Sequence, residues 1–328
     1  MLIPVLLFVL GFVLLIKGGD WFVDGATGIA HRFHIPELLI GATVVSIGTT
    51  LPEVMVSATS AVSGHGEIAY GNAIGSIICN TSLIAALTVA IKPAAVQRRA
   101  LVTPIIFFFS AAIFYSTVAY ATGFFSRLIG FILLAVFAVY MGICIYTACK
   151  TPATVGAPLE EAEEEQGKAS RFGIWKELFF LVLGAALIAV GADLLVDNGT
   201  IIAEQLGVPE AVIALTFVAL GTSLPELVTA ITSLVKGHGA LSLGNIIGAN
   251  LFNLVLVSGV SVALSPFAIP GGKEIAGINS SLVIDIPVMF AVMGLLTIPA
   301  LIRGKLSRWQ GILLLGIYAA FCVVQFTM

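Results

Sequence analysis

The sequence predicts an all-α membrane protein of ten transmembrane helices, arranged as two inverted five-helix repeats. Three observations carry that prediction. The 328 residues are 59% hydrophobic and only 10% charged, against about 25% charged residues in soluble domains. Apolar runs long enough to cross a bilayer, about 20 residues each, follow one another almost end to end. Residues 37–80 also align without a gap with residues 210–253, and 20 of the 44 positions are identical. The composition excludes a soluble enzyme or a disordered chain. The unbroken runs exclude a β-barrel, whose strands alternate over segments of about 10 residues.

Hydropathy places the helices in order. The first spans 2–24; it lacks the basic N-terminal region and cleavage pattern of a signal peptide. The second, 37–62, starts at Glu37 behind Pro36, where a carboxylate suits the helix dipole. A Gly64-His65-Gly66 turn leads into the third, 68–91. The fourth (101–122) and fifth (126–148) close the first half. Phe107–Phe109 and Phe124-Phe125 read as lipid-facing or packing surface. A linker at 149–173 contains Pro152, Pro158 and an acidic run from Glu160 to Glu165, the pattern of a solvated connection. The sixth helix spans 174–196, the seventh 210–235 behind Pro209 and Glu210, and the eighth 241–265 after a second Gly-His-Gly turn, 237–239. The ninth (278–302) and tenth (309–327) complete a second half. The chain thus divides into a repeat at 1–148, a linker at 149–173 and a repeat at 174–328.

Basic residues orient this scheme. With the N-terminus outside, the inner loops hold 12 of them and the outer loops only Arg127 and Lys273. The positive-inside bias then puts both termini on the extracytoplasmic side and the linker in the cytoplasm. The chain is expected to be a multi-pass protein of the cell membrane. Cys79, Cys144, Cys149 and Cys322 lie in or beside apolar runs without paired spacing and read as packed free thiols. Nothing calls for a cofactor, a nucleic acid or an obligatory protein partner; the partner implied is the lipid bilayer.

The repeat is the strongest signal in the chain. At an offset of 173, GTTLPE (48–53) faces GTSLPE (221–226), and GNAIGSIICN (71–80) faces GNIIGANLFN (244–253). Each half holds five helices, an odd number, so the second copy must sit upside down in the membrane. Inverted repeats recur in secondary transporters, with the substrate site near the midplane between the halves. Symmetry alone leaves a channel open.

The chemistry falls on the repeated motifs. Glu53 and Glu226 are repeat mates deep in predicted spans. An intramembrane charge costs at least a few kcal/mol, so two at matched positions need a shared compensation, most simply a bound cation. Pro52 and Pro225 deprive the carbonyls of Gly48 and Gly221 of helix partners. Thr49 and Thr222 lie four residues before the glutamates, on the same helix face. Thr50 and Ser223 add hydroxyls about one turn before them. In the next helix Asn72, Ser76 and Asn80 recur every fourth residue, facing Asn245, Ala249 and Asn253 in the second half. Asn72 and Asn245 are read as helix glue or as orienters behind the ligands. The set is all oxygen, which suits hard cations such as calcium.

These doubled motifs resemble the two alpha repeats of the calcium/cation antiporter superfamily, and most nearly the compact bacterial calcium/sodium antiporters of the YrbG type. The resemblance covers essentially the whole chain. It implies exchange of calcium for sodium by alternating access, at a site built from helices 2, 3, 7 and 8. It also implies Glu53 and Glu226 as shared acidic ligands, with Thr49, Thr222, Ser223 and Thr50 as hydroxyl or carbonyl ligands. Ser76 and Asn80 correspond to helix 3 ligands, Asn253 to a helix 8 ligand, and Ser46 and Ala219 to positions that ligate through backbone carbonyls. Ser46 stands where alanine is usual, Ala249 where serine is usual, and Asn253 where aspartate is usual. The last two should weaken at least one sodium position. Calcium/proton exchange is the alternative within transport and a cation channel the alternative outside it. An intramembrane hydrolase would need a GxGD or HExxH pattern, which the sequence lacks.

Overall fold

The computed structural model describes residues 2–93, 96–150, 171–206, 221–271, 274–275 and 277–327. It is nearly all helical. The helices are α1 (Leu2–Arg32), α2 (Glu37–Val62), α3 (Gly66–Ile91), α4 (Arg98–Thr122), α5 (Arg127–Lys150) and α6 (Arg171–Gln205). They are followed by α7 (Leu224–Val235), α8 (Gly239–Leu264), α9 (Ser281–Arg303) and α10 (Arg308–Thr327). Among the described residues, nine are long and apolar enough to cross a membrane, and α7 is the shorter tenth. The start of the predicted seventh helix, with Pro209, Glu210 and Ala219, lies outside the described residues, as does most of the expected linker.

Two helices run longer than hydropathy predicts. Helix α1 continues past residue 24 to Arg32, and α6 past residue 196 to Gln205. Asp20, Asp24, Asp193 and Asp197 therefore sit inside helices rather than at their ends, because polar side chains lower hydropathy without breaking the backbone ladder. What ends α1 is a local cap. His34 takes φ +53° and the Ile35 N–H reaches back to the Ala30 carbonyl at 2.9 Å, with Pro36 just beyond. Asp20 and Asp24 share a partner from the second half. Lys236 Nζ lies 3.5 Å from Asp20 and 2.7 Å from Asp24.

The two Gly-His-Gly turns are the same cap used twice. Gly64 and Gly237 have φ +84° and +88°, which only glycine adopts freely. The next residues, His65 and His238, return N–H bonds to the Ser60 and Ser233 carbonyls at 2.8 and 2.7 Å. His65 is exposed, whereas His238 is half-buried, with Nδ1 2.8 Å from Glu37 Oε1.

Antiparallel contact between α1 and α6 makes the inversion visible. Gly11 packs on the backbone at Gly191, and Gly18 on the backbone at Gly184. By the 173-residue offset Gly11 is the mate of Gly184 and Gly18 the mate of Gly191, so each pair is the other turned about a twofold axis. Equivalent helices running in opposite directions place that axis in the membrane plane. A bidentate contact from Arg32 to Glu177, at 2.8 and 2.9 Å, secures one end of the pair.

Helices α3 and α8 form the centre. Of their spanning windows, 72% and 83% is buried, against 22% for α1 and 17% for α10. The outward faces carry exposed Leu6, Phe12, Phe131, Val182 and Ile312, a surface suited to lipid. The Phe-rich run divides: Phe108 and Phe125 are wholly buried, while Phe124 is half-exposed. Phe124–Phe125 forms a two-residue strand, β1, paired antiparallel with β2 (Phe267–Ala268). A second short pair, β3 (Glu274–Ile275) with β4 (Ile278–Asn279), lies beyond it. These are small departures from the expected all-helical chain. Among the described cysteines Cys79, Cys144 and Cys322 are free thiols, and Asp285 accepts a hydrogen bond from Gln325 at 2.7 Å.

Candidate cation site

The site helices are interrupted by π turns, at Gly41–Val45 in α2, Asn80–Ala85 in α3 and Asn253–Val257 in α8. The last two begin on repeat mates. A π turn shifts the helix register by one residue and re-aims the side chains around it, a feature frequent at functional sites. Serine hydroxyls reach the carbonyls at two of these turns: Ser46 Oγ lies 2.7 Å from Gly41 O and Ser258 Oγ 3.2 Å from Asn253 O. Tyr140 donates to Ala42 O at 3.0 Å. Two glycines of α8 permit a close crossing with α2. Gly244 packs on the backbone at Leu38, and Gly248 on Ala42 and Ser46. Pro52 lies inside the continuous α2, whereas Pro225 lies in the first turn of α7, behind a break at Thr222-Ser223.

These elements bring the two glutamates together. Glu53 and Glu226 are both 0% exposed, and their carboxylates are close enough to interact electrostatically. Thr49 and Thr50 of the first half lie beside the Glu226 carboxylate of the second. Among the described residues, no oxygen of either glutamate has a hydrogen-bond partner. The hydroxyls of Thr50 and Ser223 and the whole amides of Asn80 and Asn253 are likewise buried without one. Each such atom costs about 1–3 kcal/mol, and more when charged. Orphan atoms occur elsewhere in the core, but here they fall on three pairs of repeat mates: Glu53 with Glu226, Thr50 with Ser223, Asn80 with Asn253. A dehydrated cation held between them would satisfy carboxylate, hydroxyl and amide oxygens at once.

Among the remaining expected ligands, Ser46, Thr49 and Ser76 are buried, and Thr222 is half-buried at the α7 break. Ala249, which faces Ser76 in the repeat, is wholly buried with no hydroxyl to offer. Asn72 and Asn245 reach across the halves: Thr222 Oγ1 donates to Asn72 Oδ1 and Thr49 Oγ1 to Asn245 Oδ1, both at 3.2 Å. Beside the site a small cleft is lined by Phe22, Thr49, Pro52, Ala185, Ile188 and Pro225. The sequence reading missed one group. The Cys79 thiol lies beside Ser223 and within electrostatic reach of Glu226, accepts from Tyr318 at 3.9 Å, and had no signal but its place next to Asn80.

An inverted pair of helical repeats, nearly all membrane-spanning, recurs in secondary transporters. The sequence pattern of the sodium/calcium exchanger protein family matches residues 3–146 and 176–327, and the chain belongs to that family. It is 34% identical over 333 residues to the putative antiporter CaxA of Alkalimonas amylolytica, covering 100% of both chains. It is 31% identical to the sodium/calcium exchanger MaX1 of Methanosarcina acetivorans, covering 98% of each. It is 35% identical to the inner membrane protein YrbG of Escherichia coli over 81% of each. Its fold matches the solved sodium-calcium exchanger NCX_Mj with a TM-score of 0.82, 31% identity and 98% of each chain covered.

Proposed function

We propose that this chain exchanges calcium for sodium across the cell membrane by alternating access, in the direction of calcium efflux. The observation that carries the reading is the Glu53/Glu226 pair: two mate carboxylates, wholly buried, within electrostatic reach of each other and without a hydrogen-bond partner among the described residues. Their two formal charges match one calcium ion. Thr49, Thr50, Thr222, Ser223, Ser76, Asn80 and Asn253 supply further oxygens, and Ser46 and Ala219 contribute backbone carbonyls. Calcium takes six to eight oxygen ligands, often with bidentate carboxylates.

Coupling follows from burial. When calcium leaves, the carboxylates must be neutralised before the site can cross the barrier, because an uncompensated charge in a dry site is expensive. Sodium ions entering the same oxygens provide that neutralisation. Helices α1 and α6, held together along their glycine faces, then shift as a unit against the rest, and the cleft beside Thr49 and Pro52 is the path uncovered. We place both termini outside the cytoplasm and residues 149–173 within it, with halves at 1–148 and 174–328.

Calcium/proton exchange is a second reading, favoured by Asn80 and Asn253, which supply amides and no further carboxylate. The test is calcium uptake into proteoliposomes loaded with sodium, choline or an acidic buffer. Uptake from sodium-loaded vesicles alone supports sodium coupling, and uptake from acid-loaded vesicles alone supports proton coupling. Uptake equal in all three contradicts exchange and leaves a channel.

A further inference from the structure

We propose that Asn72 and Asn245 are positioning residues that fix the polarity of the threonine hydroxyls across the repeat interface. The inference rests on the exchange reading above and adds two residues to it. Asn72 Oδ1 accepts from Thr222, and Asn245 Oδ1 accepts from Thr49, each at 3.2 Å. The offset of 173 turns one pair into the other, so each half's amide holds the other half's hydroxyl.

The chemistry lies in the direction of these bonds. An amide oxygen is acceptor only, so a threonine bonded to it donates its single hydroxyl hydrogen; for Thr49 the Ser46 carbonyl, at 3.5 Å, is the more distant acceptor. The lone pairs of the threonine oxygen are then left for whatever sits beside the glutamates, and Thr49 does lie beside Glu226. Without the amide, the hydroxyl would be free to rotate and donate to a carboxylate. It would then spend an acidic ligand's lone pair and present its own hydrogen to the cation. The asparagines thus make the threonines ligands rather than competitors.

Asn72 is also fixed from behind. Its Nδ2 donates to Ser57 Oγ at 2.8 Å and to the backbone oxygen of Glu53 at 3.3 Å. It therefore links α3 to the glutamate of its own half and to the threonine of the other. Ala230 replaces Ser57 in the second half, and the buried Asn245 Nδ2 has no partner. Asn245 is held instead by Ser46, whose Oγ lies 2.9 Å from its backbone oxygen and 3.3 Å from Oδ1.

A double-mutant cycle on sodium-driven calcium uptake tests the assignment. Residues behind metal ligands are worth about 10–100-fold in affinity, so Asn72→Leu should raise the calcium KM about tenfold while the maximal rate holds within about twofold. Thr222→Val should do the same, and the Asn72→Leu/Thr222→Val double variant should be no worse than either single. Asn72→Leu combined with Thr49→Val should instead multiply, because those two residues do not touch. If Asn72→Leu fails to assemble, the Asn245→Leu/Thr49→Val cycle supplies the same comparison on the other side. Multiplicative losses in the crossed pairs overturn the proposal. So does a fall in maximal rate at unchanged KM, which marks a merely structural role. Absence of sodium-driven uptake in the unmutated protein overturns the exchange reading itself, and this inference with it.

Discussion

Lys236 Nζ lies 2.7 Å from Asp24 Oδ1 and 2.9 Å from the backbone oxygen of Asp20, fastening the turn after α7 to helix α1. The inverted repeat has no equivalent. At the mate positions an exposed serine, Ser63, stands where the lysine would be, and the mates of the two aspartates are Asp193 and Asp197, both exposed. One face of the molecule therefore carries an ionic tie between α1 and the central helices, and the other does not. Asp24 is 57% exposed and Lys236 25%, so the tie is worth about 0.2–1 kcal/mol. Lys236→Met should speed amide hydrogen exchange in residues 17–32 by up to about fivefold and leave residues 190–205 unchanged. Equal effects on both segments would show that the tie is not specific to one face.

Close packing of α1 on α6 predicts a steric result. A β-carbon added at Gly18 would lie 2.8 Å from the Ile188 nitrogen and 2.9 Å from the Gly184 carbonyl oxygen. Gly18→Leu should therefore destabilise the protein by about 1–3 kcal/mol, the usual cost of overpacking. Gly316, exposed on α10 with nothing within 4 Å of an added β-carbon, is the control. In detergent, Gly18→Leu should lower the unfolding midpoint and Gly316→Leu should not. Equal midpoints would mean that α1 and α6 do not meet on these glycines.

Cys79 gives the site a soft donor that its oxygens lack. Thiolate prefers softer metals than calcium, and this sulfur lies beside Ser223 and within electrostatic reach of Glu226. Cadmium should inhibit calcium uptake, and Cys79→Ser should raise the half-inhibiting cadmium concentration about tenfold or more without a matching change in calcium KM. Unchanged cadmium sensitivity would place the thiol away from the ion path.

Asn253 sets the number of acids. Glu226 is the sole acidic residue between 211 and 273, and the Asn253 amide is buried without a partner. Asn253→Asp adds a third carboxylate to the cluster and should lower the sodium concentration for half-maximal calcium efflux. A sodium dependence that does not move would remove Asn253 from the site.

Much of this was legible in the sequence, for physical reasons that differ by residue. The spans were readable because a bilayer demands long apolar runs. Glu53 and Glu226 were readable because a repeated buried charge has few explanations. The end of α1 was not, since Asp20 and Asp24 lower hydropathy while the helix continues until His34 turns the chain. The π turns at Asn80 and Asn253 leave no trace in hydropathy, because a one-residue shift of register keeps the same side chains. The pairing of Lys236 was hidden as well, because it joins residues over 200 positions apart. The crossed bonds of Asn72 and Asn245 needed coordinates too, because the repeat alone does not say which half an amide serves.

The most direct test of the central claim is equilibrium binding of radioactive calcium to the purified protein and to its Glu53→Gln, Glu226→Gln and double variants. The unmutated protein should bind calcium in competition with sodium. Each single variant should lose affinity at least about 100-fold, or about 2.7 kcal/mol, and the double variant should show no sodium-sensitive binding. Binding by the double variant at the affinity of the unmutated protein would contradict the account, because the two buried carboxylates would then hold no ion.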